Sequence, residues 1–193
     1  MSVFTTILQQ AAAKGIAANQ SQSARRWFRE QATSASTSAA SLLKTTGIRS
    51  SGSVSFGDMV LFRYEPKHAD TLPFYDRYPL IFAVDSAPGG FYGLNLHYLP
   101  LQLRAKLMDG LYSLTTDNNY DENTKVQLSY KLLRSTSQLR YFKPCFKHYL
   151  NSYVRSNFRI INANEWDIAL FLPLERFIKA SSGTVHAYSV KRI

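Results

Sequence analysis

The chain has 193 residues, a formal net charge of +10 and 45% hydrophobic residues. That length suits one ordinary domain with an appendage, and that apolar content excludes a wholly disordered protein. No apolar run approaches the roughly 18–20 residues of a membrane span, and the single cysteine, Cys145, excludes a disulfide framework or a cysteine-rich zinc site.

Taken in chain order, the elements begin with a region rich in Ala, Ser, Thr and Gln over residues 1–53. A short amphipathic helix is expected over 3–18, with Phe4, Ile7, Leu8 and Ile16 near one face. Arg25, Arg26 and Arg29 then surround Trp27 and Phe28. Residues 32–41 are nearly all Ala, Ser or Thr, a composition that buries too little surface to offset ordering. The region reads as a basic N-terminal arm ordered by a partner; the alternative is a helical flap on its own domain. The opening Met1-Ser2-Val3-Phe4 lacks a secretory pattern, so a soluble protein made in a cytoplasm is expected.

A single domain is expected over 54–193. Met59-Val60-Leu61-Phe62 reads as a buried strand, followed by a loop holding Pro66 and Pro73. Leu80 to Val84 is a second strand, and the turn Pro88-Gly89-Gly90 joins it in a hairpin to the alternating stretch 91–98. Pro100 starts a helix with Leu101, Ala105, Met108 and Tyr112 on one stripe and Leu103, Leu107 and Leu111 beside it. Further helices are expected over 122–134 and from Lys143-Pro144, the latter burying Phe146, Tyr149, Leu150 and Tyr153. Residues 158–161 return to strand character. Trp166 reads as a buried anchor at a helix entry, residues 174–177 as a strand, and 184–190 as an edge strand. The fold class is α+β: a small SH3-like β-barrel or sheet with a helical insertion over about 100–156.

Charge is unevenly spread. Residues 1–55 carry six Lys/Arg against Glu30, residues 56–122 nine acids against five bases, and residues 123–193 twelve bases against three acids. The stretch 123–164 has no acid and interleaves Lys125, Lys131, Arg134, Arg140, Lys143, Lys147, Arg155 and Arg159 with Tyr130, Tyr141, Phe142, Phe146, His148, Tyr149, Tyr153 and Phe158. Bases neutralise phosphates and rings stack on nucleobases, so this pattern fits nucleic acid. It equally fits core aromatics beneath a solvated basic face that meets an acidic protein. The candidate partner or phosphate contacts are Arg25, Arg26, Arg29, Arg140, Lys143, Lys147 and Arg155.

Enzyme signatures are missing. No glycine-rich phosphate loop, nucleophile elbow or metal-ligand spacing of His68, His97, His148 and His186 occurs. The acids Asp58, Asp76, Asp117, Asp121 and Glu122 fall in loops and are best explained by solubility; His97 and Cys145 read as structural. No catalytic residue, metal or cofactor is expected, and no membrane partner.

Longer strings carry a resemblance: Gly57-Asp58-Met59-Val60-Leu61-Phe62-Arg63-Tyr64-Glu65-Pro66-Lys67, Asp70-Thr71-Leu72-Pro73-Phe74-Tyr75-Asp76-Arg77-Tyr78-Pro79-Leu80-Ile81-Phe82, Gly90-Phe91-Tyr92-Gly93-Leu94-Asn95-Leu96-His97-Tyr98-Leu99-Pro100, Leu103-Arg104-Ala105-Lys106-Leu107-Met108, Tyr141-Phe142-Lys143-Pro144 and Glu165-Trp166-Asp167-Ile168-Ala169-Leu170-Phe171-Leu172-Pro173. Over roughly 57–180 the chain resembles small virion-associated proteins of T-even-like contractile-tailed phages, the myoviruses that include cyanophages. The resemblance implies a non-enzymatic structural subunit of the tail, baseplate or neck, located in the virion and bound to other virion proteins in an oligomeric assembly. The alternative it leaves is a DNA-binding protein acting on the packaged genome or protecting its ends.

Overall fold

Three serines begin the first three helices. Ser2, Ser21 and Ser38 cap α1 (Val3–Ala13), α2 (Gln22–Ser34) and α3 (Ala39–Lys44), each side-chain oxygen accepting a backbone N–H three residues on. The computed structural model describes residues 2–17, 21–115, 131–135 and 140–193. Phe4, Ile7 and Ala11 of α1, Phe28 and Ala32 of α2, and Ala39 and Leu42 of α3 are buried in the main core. This corrects the expectation of a partner-ordered arm: the region packs on its own domain. Its small residues are the reason, because alanines at buried positions let helix backbones approach closely while the serines supply caps. Composition alone counted both as signs of disorder.

Strand β1 (Arg49–Ser51) joins this region to the sheet. It is followed by β2 (Met59–Leu61), β3 (Tyr75–Asp76), β4 (Leu80–Ala87) and β5 (Gly90–Asn95), the last two forming the expected hairpin. A 3-10 turn, Leu96–Tyr98, leads to α4 (Leu101–Thr115). The helix expected over 122–134 lies largely outside the described residues; 131–135 are helical. A 3-10 turn, Arg140–Cys145, precedes β6 (Phe146–Leu150), and β7 (Phe158–Ile161), α5 (Trp166–Phe171), β8 (Phe177–Ile178) and α6 (Ser182–Val190) complete the described chain.

The main sheet is antiparallel, in the order β1-β7-β2-β4-β5-β6, and β3 pairs with β8 in a separate ribbon. Strands and helices together make the class α+β. Among the described residues the sheet is open, with β1 and β6 as its edges, so they do not form an SH3-like barrel. A bridge between Tyr64 and Val154 draws the segment after β6 back over one face without closing it.

Alternation sorts the strands between two cores. Met59, Leu61, Leu80, Phe82 and Leu94 face the helices; Val60, Phe62, Ile81, Phe91, Tyr149, Phe158 and Ile160 build an aromatic cluster on the other face. Phe62 sits at its centre, with edge-on contacts to Tyr64, Phe91, Tyr149 and Phe158 at centroid distances of 5.1–6.1 Å. Trp166 is half-buried, its indole N–H donating to the Ile161 carbonyl at 3.1 Å and its ring edge-on to Phe82 at 4.9 Å.

Two further expectations are corrected. The segment after Pro144 is strand β6 and not a helix, although Phe146, Tyr149, Leu150 and Tyr153 recur at helical spacing. The β5 edge was free to pair, and Gly90 admits β6 closely: a Cβ there would collide with the Tyr149 carbonyl oxygen. Residues 184–190 form helix α6, not an edge strand. Ser181 caps it by accepting the Thr184 N–H, and Val185 and Ser189, one turn apart, are its buried face. No helix among the described residues is long and apolar enough to cross a membrane.

Candidate nucleic-acid interface

The structure divides the predicted contact residues into two groups. Arg25, Arg29, Arg26 and Arg155 are engaged by carboxylates. Helix α2 sets Arg25 and Arg29 one turn apart, facing Asp109 of α4 at 3.3 and 2.9 Å, and Arg29 also donates to Asp167 of α5 at 3.0 Å. Burial works against the charge on Arg29, but the Asp167 and Asp109 carboxylates outweigh it and raise its pKa. Burial likewise pushes the Asp167 carboxyl above its ordinary value, with Arg29 opposing. Arg26 is exposed and pairs with Glu30 at 3.0 Å. Arg155 lies 3.5 Å from Glu65, donates to the Ser152 carbonyl at 2.7 Å and stacks over Tyr153.

Arg140, Lys143 and Lys147 form the second group. Arg140 and Lys143 are exposed on the turn before β6, and among the described residues neither meets a carboxylate. Lys147 projects from β6 itself, its ammonium 4.1 Å from the centre of the Tyr98 ring. Burial lowers its pKa, and the nearby Arg192 charge adds to that effect. Lys143 and Lys147, in the segment expected to be helical, sit instead on a turn and a strand at one edge of the sheet. Of the other bases in the acid-free stretch, Arg159 is structural, donating to the Leu43 carbonyl at 2.9 and 2.6 Å, and Arg134 pairs with Asp85 at 2.9 Å. Lys125 and Tyr130 lie outside the described residues. Tyr149 and Phe158 belong to the aromatic cluster, and Phe142 and Phe146 pack against the main core. Phe142, Phe146, Tyr149 and Phe158 therefore serve packing, whereas His148 is exposed, and among the described residues Phe56 and Tyr188, which the sequence pattern did not single out, are exposed too.

Ionisable groups also lie in the interior: His97, read as structural from the sequence; Asp76, assigned there to a loop and to solubility but buried on β3; and Arg104, for which the sequence reading gave no role. His97 is fully buried with Nδ1 2.8 Å from the Asp76 carboxylate, to which the Asn95 amide donates at 3.0 Å. Arg104, also fully buried, donates to the carbonyls of Leu99 at 2.8 Å and Leu170 at 3.0 Å, and binds Glu175. These groups lock the 96–104 segment to β3 and α5. Among the described residues no three His, Cys, Asp or Glu side chains gather as a metal site. Asp117, Asp121 and Glu122 lie outside the described residues.

Cys145 is buried, and burial pushes its thiol up to about 12. A thiol that stays protonated and enclosed is a poor nucleophile. Iodoacetamide at pH 8 is expected to leave native protein unlabelled and to label it once denatured, as read by intact mass. Labelling of the native protein at the denatured rate would contradict the burial.

The sequence model of one protein family, described as phage T4 terminal DNA protecting protein, matches residues 2–193. No curated protein and no solved structure matches the chain. The family match overturns the expectation of a structural tail, baseplate or neck subunit and favours the DNA-end alternative. The resemblance to proteins of T-even-like phages stands at the level of the phage group.

Proposed function

The chain belongs to the phage T4 terminal DNA protecting protein family, and on that premise we propose that it is a non-enzymatic protein that binds the ends of a phage genome and shields them. The match over nearly the whole chain is the observation that carries this reading. The charge agrees with it: a chain of net charge +10 is drawn to the phosphate backbone by counterion release. Arg140 and Lys143, exposed and without carboxylate partners among the described residues, are available to phosphates, with Lys147 beside them on the sheet edge. Arg25 and Arg29 are given over to holding α2 in place. On this reading the chain resides in the virion, with the DNA end as its partner alongside the virion proteins that border that end.

The test is a gel shift of one duplex sequence in linear and closed circular form across a salt series, paired with exonuclease digestion of the linear form. The linear form is expected to bind more tightly, to weaken steeply as salt rises, and to resist digestion when bound. Equal binding of circle and linear duplex, or unslowed digestion at saturating protein, would count against end protection.

A further inference from the structure

Arg77 and Arg176 lie far apart in sequence and are brought together by the short β3–β8 ribbon. Arg77 follows β3, Arg176 precedes β8, and the Arg77 N–H donates to the Arg176 carbonyl at 2.9 Å. Both line one concavity of about 380 Å³, together with Tyr78, Glu175, Ser38 and Ala39. Two like charges set side by side across a strand pair repel one another. Among the described residues neither guanidinium has a carboxylate partner. The Nε of Arg77 is also buried without an acceptor, a state costly for a charged donor. Glu175, the single acid of the lining, is already taken by Arg104, and its pKa is lowered: burial raises it, but the charges of His97 and Arg104 and the Arg104 hydrogen bond prevail. The concavity is thus lined by two arginines without carboxylate partners among the described residues and by a carboxylate already neutralised.

We propose that Arg77 and Arg176 form a pocket for a phosphate monoester. Guanidinium forks match phosphate oxygens in pairs, and a monoester carries about −1.5 to −2 charges at pH 7. A concave site takes a group with one substituent more readily than a phosphodiester, which leaves in two directions. In duplex DNA the monoesters are the terminal phosphates, so the pocket would read an end as an end. The chemistry of the pocket stands by itself; naming a DNA terminus as its source rests on the proposed function.

The experiment uses the full chain with Arg77→Gln and Arg176→Gln, each checked for an unchanged melt. The second variant, at an exposed position, keeps the test open if the first fails to fold. Linear duplexes carrying a terminal phosphate, 5′ or 3′, are compared with the same duplexes ending in hydroxyls, and inorganic phosphate is titrated by calorimetry. A phosphorylated end is expected to bind roughly tenfold more tightly, the scale of one charge-assisted hydrogen bond, and either variant should erase the difference. Phosphate binding lost in the variants without an end preference would assign the pocket to free phosphate. No phosphate binding, equal affinity for both kinds of end and unaltered variants would overturn the pocket. In that case a retained preference for linear over circular DNA would leave the proposed function standing, and its loss would remove both.

Discussion

Arg29→Ala is expected to cost about 3–5 kcal/mol of folding stability, the range for breaking a buried ion pair from one side. The Arg29 side chain is 15% exposed and Asp167 only 2%, with 3.0 Å between Nε and Oδ1. Removing the guanidinium leaves the Asp167 carboxylate buried without its counter-ion and Asp109 short of its closer arginine. The guanidinium also lies over the Phe171 ring, and that cation–π attraction disappears along with the charge. Because the pair ties α2 to α5, limited proteolysis of the variant should cut within 1–53 before the rest of the chain. The wild type should resist at that site.

The pH dependence carries a sign. Burial raises the folded pKa of Asp167 above its ordinary value and Arg29 holds the rise in check. For a carboxyl raised on folding, the stabilising contribution is present below the unfolded pKa and lost as pH rises through the folded one. Without Arg29 the rise is larger, so the loss at neutral pH is larger. The stability gap between wild type and Arg29→Ala should therefore be widest near pH 7 and narrow as pH falls into the range where Asp167 takes up a proton. Urea melts at pH 7 and pH 4 measure it; a gap that does not change with pH would mean that Asp167 is not held as a carboxylate.

The strands β2, β4, β5 and β7 and helix α4 were legible in sequence because their burial is local: runs or alternations of apolar residues report it directly. What escaped depended on partners distant in sequence. The Ser38 cap looks like low complexity until α3 is seen packed through Leu42. The rings of β6 follow a helical period, and only the neighbouring β5 edge with Gly90 decides for a strand. Nothing near Arg104 in sequence announces that carbonyls from residues 97, 99 and 170 will surround it. Of the candidate contacts, the sequence conveyed charge but not how each charge is used. The acid-free stretch marked Arg140 and Lys143, but counting charges could not reveal that Arg25 and Arg29 are neutralised by Asp109 and Asp167. Nor could it pair Arg77 with Arg176, since the ribbon that joins them consists of two-residue strands.

Reversing Arg140 and Lys143 together to Glu is expected to abolish binding to linear DNA at physiological salt while leaving the melt unchanged within about 0.5 kcal/mol, as for surface substitutions away from special features. The two side chains are exposed and, among the described residues, have no carboxylate to lose. The reversal removes two attractions and adds two repulsions to a polyanion. A milder Gln pair isolates the first effect. If each base meets one phosphate, the slope of log affinity against log salt should fall by about 2. Lys147 is left intact, because its ammonium sits over the Tyr98 ring and its loss would mix that contact with charge. Arg26→Gln, exposed on α2, serves as the comparison for a base lost elsewhere. A Gln pair that lowers affinity no more than Arg26→Gln, with an unchanged slope, would show that the β6 edge is only a solvated basic face. Any DNA affinity would then have to come from other cations, and the Arg77–Arg176 pocket would be the next place to measure.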